Sequence, residues 1–178
     1  MKRHCVARSL ALAAAFLVGG LSLAPAAATP KTGDPAPPVE AKDQDGNTWK
    51  LADAAGKKVV LLYFYPKDDT PGCTKEACGF RDRIADLRKD NVEVVGVSFD
   101  NSESHQKFIG KYHLNFPLLV DTDGKIADAY GVRMSGRDMA RRVSFLIGRD
   151  GKIVHVTDSM NADVHLNEMK EAVEKLKR

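Results

Sequence analysis

Cysteine is scarce in this chain, and its charges nearly cancel. Three cysteines occur in 178 residues, and none are spaced C-x-x-C. The chain therefore lacks the pair that oxidises readily inside one helical turn. It also lacks zinc-ligand spacings: His105, His113, His155 and His165 fit no H-x3–5-H pattern with each other or with a cysteine pair. Surface or core imidazoles account for all four, and no metal or organic cofactor is expected. There is no internal repeat. The 27 Lys+Arg against 24 Asp+Glu give a net charge of +3. That excess lies entirely in the first residues, at Lys2, Arg3 and Arg8; without them the count is 24 of each sign. A balanced chain has no electrostatic footprint for nucleic acid or an anionic membrane.

What is present begins with an export pattern. Residues 1–28 run from the cationic start through an uncharged apolar run, Leu10 to Leu23, to the small-residue stretch Ala24 to Ala28. That order is a secretory signal peptide, with cleavage expected after Ala28 and the product periplasmic or otherwise exported. The other reading is an uncleaved anchor, since the uncharged run from Ser9 is long enough to span. Its second half is Gly, Ser, Pro and Ala, which fills hydrocarbon poorly. No cysteine closes the apolar run, as a lipoprotein would require. Cleavage removes Cys5 and leaves about 150 residues, one domain with a sizeable core and no stable membrane association.

The remaining chain alternates strands and helices. Residues 29–38 form a Pro-rich lead-in with no hydrophobic pattern, expected as a tether, and the domain is expected over 39–178. Val39–Ala41 and Asn47–Leu51 flank the turn-rich "KDQDG" and predict a hairpin. Val59–Tyr65 is apolar on both faces, as in a central strand. From Thr70 the spacing changes: Cys73, Ala77, Phe80, Ile84 and Leu87 make one helical stripe. A strand over 92–99 follows, then a helix over 100–113 with Asp100 and Glu103 as a capping pair. "FPLLVD" is a short strand and "KIADAYG" a short helix. Two strands are joined by "RDG", and a closing helix over 163–177 turns Val164, Met169, Val173 and Leu176 inward. The order is that of an α/β, thioredoxin-like fold: a mixed central sheet flanked by helices, with an N-terminal β-hairpin and an insertion after the second helix.

The chemistry gathers at "YPKDDTPGCTKEAC". Thr70 is a good N-cap and Pro71 suits the first helical position, so Cys73 falls in the first turn of a helix. Helix N-termini and nearby cations lower a thiol's pKa from about 8.5, and the thiolate is the nucleophile. Cys73 is the candidate reactive thiol; a small buried core residue is the bland alternative. Cys78 follows five positions on. Five helical steps give ~7.5 Å of rise and a ~4.3 Å chord, so the Cα atoms stand ~8.7 Å apart. A disulfide needs about 4.4–6.8 Å. Either the two thiols never pair or the helix unwinds when they do. Cys78 also lies off the apolar stripe, on a flank or facing solvent. Arg142 stands two residues before Ser144, and alternation gives Arg142, Ser144 and Leu146 one facing. Arg142 is a candidate for electrostatic support of the thiolate, with an ordinary solvated loop-end charge in a basic run as the alternative.

These residues resemble the peroxiredoxin pattern P-x-x-x-T-x-x-C, here Pro66, Thr70 and Cys73. With Cys78 five residues later, the stretch is similar to the peroxiredoxin Q, or bacterioferritin comigratory, subgroup. The likeness continues through "VVGVSFD", "FPLLVDTDGKIADAYGV" and "RRVSFLIGRDGKI", covering roughly residues 33 to 178. It implies Cys73 as peroxidatic cysteine and Cys78 as resolving cysteine. It implies that the Thr70 hydroxyl bonds the thiolate and peroxide, that Pro66 shields the pocket, that Arg142 holds thiolate and peroxide oxygens, and that Glu76 orients Arg142. The implied activity is thiol-dependent reduction of hydrogen peroxide and organic hydroperoxides, recycled by a thioredoxin-like dithiol, in a subgroup that is often monomeric. The export signal departs from that subgroup and leaves the usual cytosolic donor in question. An exported thiol–disulfide oxidoreductase acting on protein disulfides is the alternative.

The ~8.7 Å separation generates a direct test. Oxidation by one equivalent of peroxide is expected to lower the helical signal in far-UV circular dichroism. A Cys73–Cys78 disulfide with an unchanged helical signal overturns the unwinding.

Overall fold

The computed structural model describes residues 28–177. All of the expected signal peptide except Ala28 lies outside them. The elements run β1 (Glu40–Lys42), β2 (Thr48–Lys50), α1 (Leu51–Ala54), β3 (Val59–Phe64), α2 (Pro71–Lys89), β4 (Val92–Ser98), α3 (Ser102–Tyr112), β5 (Leu118–Val120), α4 (Lys125–Ala129), β6 (Val143–Ile147), β7 (Ile153–Asp158) and α5 (Ala162–Leu176). Every element expected from the sequence is present, with the one-turn α1 in addition.

The five-stranded sheet has the order β5-β4-β3-β6-β7. Strands β3, β4 and β5 pair in parallel, and β6 pairs antiparallel with both β3 and β7. The sheet is mixed because a tight turn joins β6 to β7, whereas helices carry the chain between the parallel strands. Strand β3 is central and buried along its whole length, as its unbroken apolar run requires. Its alternate side chains feed two cores. Leu61, Tyr63 and Tyr65 pack with Phe80 of α2, Phe108 of α3 and Met169 of α5. Val60, Leu62 and Phe64 pack on the opposite face with Ile126 and Ala127 of α4, Tyr130 and Phe145. Strands β1 and β2 form a separate two-stranded sheet.

Three expectations are corrected. Residues 29–38 are fastened rather than free. Gly33 and Ala36 donate backbone bonds to Ile153 and Gly151, the Ile153 amide donates to Asp34, and the Thr29 hydroxyl donates to the Gly131 carbonyl. Proline is tolerated along a sheet edge, and long-range backbone bonding leaves no hydrophobic pattern to read. Helix α3 is capped by Asn101, whose side chain accepts from the Ser104 amide. Asp100 lies one residue too early and instead accepts from the Asp68 amide in the loop between β3 and α2. In α5, Val164 is only half-buried and Leu176 is exposed, while His165 and Leu166 point inward. An imidazole with partners for both nitrogens can be buried, and hydrophobic spacing cannot anticipate that.

Gly96 shows how closely the sheet is filled. It sits in register between Tyr63 of β3 and Leu118 of β5. A Cβ there would stand 2.6 Å from Leu118 Cδ2 and 2.9 Å from the Tyr63 ring and hydroxyl. Gly96→Ala is therefore expected to cost about 1–3 kcal/mol by overpacking. Urea unfolding measures it, and an unchanged midpoint contradicts it.

Candidate active site

Helix α2 begins where the sequence placed it. Thr70 is the N-cap residue in an extended conformation, and Pro71 opens the helix. The first helical bond runs from the Thr74 amide to the Thr70 carbonyl at 2.8 Å. Cys73 is thus the third helical residue, in the turn where backbone N–H groups lack intrahelical acceptors. It is buried.

Topology supplies its partner. Helix α2 leaves the C-terminal end of β3, and the neighbouring antiparallel β6 starts at that same end, with Val143 opposite Phe64. Arg142, just ahead of β6, is therefore delivered to the first turn of α2 across 69 positions of sequence. Its Nη2 donates to Cys73 Sγ at 3.3 Å. Its Nη1 donates to Glu76 Oε2. Arg142 is 4 % exposed and Glu76 is fully buried. A guanidinium has only donors, so sulfur can only accept from it. That contact suits a thiolate. Gly72 permits the approach, since a Cβ there would meet Arg142 Nη2 at 3.0 Å.

Behind this pair lies a second layer. Burial pushes the Glu76 carboxyl up to about 7, against the opposing pull of Arg142. His165 Nδ1 is 3.5 Å from Glu76 Oε1. His165 Nε2 faces the Ser159 carbonyl at 2.8 Å and so carries the hydrogen. Burial also pushes the His165 pKa down, which favours the neutral ring. Its bare Nδ1 then accepts from the Ser144 hydroxyl at 2.7 Å. Alternation had put Ser144 and Leu146 on the Arg142 face; Leu146 indeed packs in the core that holds Cys73 and Phe80. His165 was missed, because a lone imidazole on a helix face carries no distinguishing pattern.

The other expected residues are placed differently. The Thr70 hydroxyl donates to the Lys67 carbonyl at 3.1 Å. Its hydroxyl proton goes to that carbonyl rather than to sulfur, and its oxygen accepts no bond from the first turn of α2. Pro66 is half-buried directly after β3, in the loop that leads to Cys73. Cys78 is a free thiol of intermediate burial on the unbroken α2, so the helical separation from Cys73 applies. Of the histidines set aside as ligands, His105 and His165 are buried and hydrogen-bonded, and His155 contacts Glu168.

Comparison with known proteins decides the family. The AhpC/TSA family model matches residues 32–156. The chain belongs to the AhpC/TSA family. It is 46 % identical over 151 residues to peroxiredoxin Bcp of Escherichia coli K12, covering 79 % of this chain and 96 % of that protein. Among solved structures, peroxidoxin BcpB from Mycobacterium tuberculosis is 34 % identical with a TM-score of 0.77, covering 82 % of this chain and 97 % of that one. The bacterioferritin comigratory protein of Xanthomonas campestris is 28 % identical with a TM-score of 0.72, over 79 % and 92 % of the two chains. The molecule is thus a peroxiredoxin, with the thioredoxin-like fold of that family.

The raised Glu76 carboxyl makes a prediction for this peroxiredoxin. Its folded-state value of about 7 exceeds the ordinary 4.5. The folded state therefore holds a proton that the unfolded chain has released. The contribution to stability is full below pH 4.5 and is lost as pH rises through about 7. The shift corresponds to roughly 3 kcal/mol. Asp121, raised by burial to about 6, acts in the same direction at lower pH. Glu76→Gln should flatten the fall in stability between pH 5 and pH 8 relative to wild type. Urea unfolding at the two pH values measures it, and an equal fall in unfolding free energy for wild type and variant contradicts it.

Proposed function

We propose that Cys73 is the peroxidatic cysteine and Cys78 the resolving cysteine of an exported, monomeric peroxidase recycled by a thioredoxin-like dithiol. One observation carries this reading: the Arg142 guanidinium lies 3.3 Å from Cys73 Sγ, both buried at the start of α2. A thiolate so placed attacks one peroxide oxygen in line with the O–O bond. The S–O bond forms, the O–O bond breaks, and the leaving oxygen departs as alkoxide or hydroxide and takes a proton. Arg142 and the free amides of the first turn are already aimed at that growing charge. Pro66 shields the pocket, and Thr70 turns its hydroxyl from Lys67 to the peroxide. Cys73 is left as a sulfenic acid.

The second stage needs the helix to open. The Cys78 thiolate attacks Cys73 sulfur, the S–O bond breaks, and water leaves with the proton it gains. The resulting disulfide is reduced by exchange with an external dithiol, which ends as a disulfide itself. Both thiols belong to one helix of one chain, so the cycle needs no second copy. Organic hydroperoxides are included as substrates alongside hydrogen peroxide; the related Xanthomonas protein is described for alkyl peroxide reduction. Export rests on residues 1–28, with their cationic start, apolar run and small-residue end. Cys78 standing a full turn and more from Cys73 disfavours a thiol–disulfide oxidoreductase, whose pair must oxidise without unwinding.

Mass spectrometry after one equivalent of peroxide tests the assignment. Wild type should lose two hydrogens, Cys78→Ser should gain one oxygen, and Cys73→Ser should stay unchanged. Turnover should fall to the uncatalysed background in Cys73→Ser and stall after one oxidation in Cys78→Ser. Reduced protein that ignores peroxide but reshuffles protein disulfides is the oxidoreductase instead. The mass of the exported protein also reports whether cleavage follows Ala28.

A further inference from the structure

The loop that joins β3 to α2 is held by a buried polar cluster that the chemistry at Cys73 does not use. Asp68 is 7 % exposed and His105 is fully buried. Asp68 Oδ1 accepts from the Tyr65 hydroxyl at 2.7 Å. Asp68 Oδ2 accepts from the Ser104 hydroxyl at 2.8 Å and lies 2.9 Å from His105 Nδ1. The far side of the ring, Nε2, faces the Leu119 carbonyl at 3.2 Å. Both ring nitrogens thus face acceptors, so a proton sits between Nδ1 and Oδ2. Burial keeps the Tyr65 hydroxyl protonated and a donor. The Asp68 amide donates to Asp100 Oδ2 at 2.9 Å.

The next residue is gripped as well. Asp69 adopts a left-handed conformation, φ 55°, which Asp tolerates better than most side chains. Its carboxylate accepts from Lys111 Nζ at 2.7 Å and from the Tyr112 hydroxyl at 2.6 Å. Ser104 and His105 lie in the first turns of α3, Lys111 and Tyr112 in its last. Helix α3 therefore holds the loop from both ends. The exposed Asp69 contacts are worth little. The Asp68 cluster is different, because buried polar bonds in a low dielectric are strong when complete and costly when broken.

Position is what this cluster provides. The loop starts at the end of the rigid central strand and ends at Thr70, the N-cap of α2. It carries Pro66 and Thr70. Arg142 reaches Cys73 from a different strand, so their mutual geometry depends on where α2 begins. We propose that Asp68, held by His105, Tyr65 and Ser104, is a positioning residue for the peroxide reaction: it sets the loop and the first turn of α2 so that peroxide meets Cys73 Sγ in line. This rests on Cys73 being the peroxide-reactive thiol.

Two rates measured on the reduced protein test it. One is the second-order oxidation of Cys73 by hydrogen peroxide, in competition with a reference peroxidase. The other is alkylation by iodoacetamide, which needs the thiolate but not the peroxide geometry. Asp68→Asn should slow the peroxide reaction roughly a hundredfold. Alkylation should stay within about threefold, since it follows thiolate character and access. Tyr65→Phe, which removes the hydroxyl that donates to Asp68 and lies 3.5 Å from His105 Nδ1 but leaves the Asp68 carboxylate in place, should give a smaller loss confined to the same reaction. Loss of both reactions together, or of neither, overturns the proposal. Should Asp68→Asn give no cooperative unfolding transition, Tyr65→Phe decides by the same pair of rates. Wild type that alkylates but does not react with peroxide removes the peroxidase reading, and the positioning role with it. Wild type and both variants reacting equally fast removes the positioning role alone.

Discussion

The contact between Arg142 and Cys73 is the constraint on which the rest of the site depends. A buried guanidinium is costly unless a counter-charge meets it. Glu76, one turn along α2 from Cys73, is that counter-charge, and it is buried completely. Glu76 accepts from Arg142 whether or not its carboxyl is ionised, so removing either member leaves the other buried without its partner. The pair is therefore unlike the exposed ion pairs elsewhere on the surface. It aims Nη2 at sulfur, and it ties the first turn of α2 to the start of β6. The geometry of the candidate site and the local stability of α2 share one interaction.

That sharing bears on the motion the chemistry needs. Cys78 stands on the same helix as Cys73, too far along it to bond while the helix is intact. In the proposed cycle, reaction with peroxide wants the helix formed, with its amides and Arg142 in place, and resolution by Cys78 wants its first turns open. The two demands alternate, and the helix start is poised between them. Glu76 holds a carboxyl whose ordinary range has been raised to about 7 by burial, so the ion pair that fastens this turn is itself incomplete near neutrality. On the other side, the loop before α2 stays clamped to α3 through Asp68. The helical end is held by the buried Arg142–Glu76 pair and by the exposed Lys75–Asp163 pair to α5.

Much of the architecture was legible because it follows from period and punctuation. The unbroken apolar run of β3, the stripe from Cys73 to Leu87, and Thr70-Pro71 at the head of α2 each have a local cause, and each appears in the structure. The cap of α3 went to Asn101 rather than Asp100, because several short polar residues compete at that boundary and one residue of phase decides between them. The inward face of α5 was missed at Val164 and Leu176, since a buried, fully bonded His165 shifts which side faces the core. The lead-in's attachment was invisible, since backbone bonds to β7 leave no side-chain pattern.

The sequence by itself determined the candidate cysteine and the problem of its partner. Cys73 in a first helical turn and Cys78 five residues on follow from local spacing, and helix geometry forbids their pairing without unwinding. Arg142 was an unremarkable charge in a basic run until a family likeness singled it out. Only the tertiary structure set it beside sulfur, because an antiparallel strand must begin where its parallel-sheet neighbour ends. Likewise Asp68 and His105 are ordinary polar residues 37 positions apart. Their meeting inside the loop clamp depends on the packing of α3 against the sheet, which no local pattern encodes.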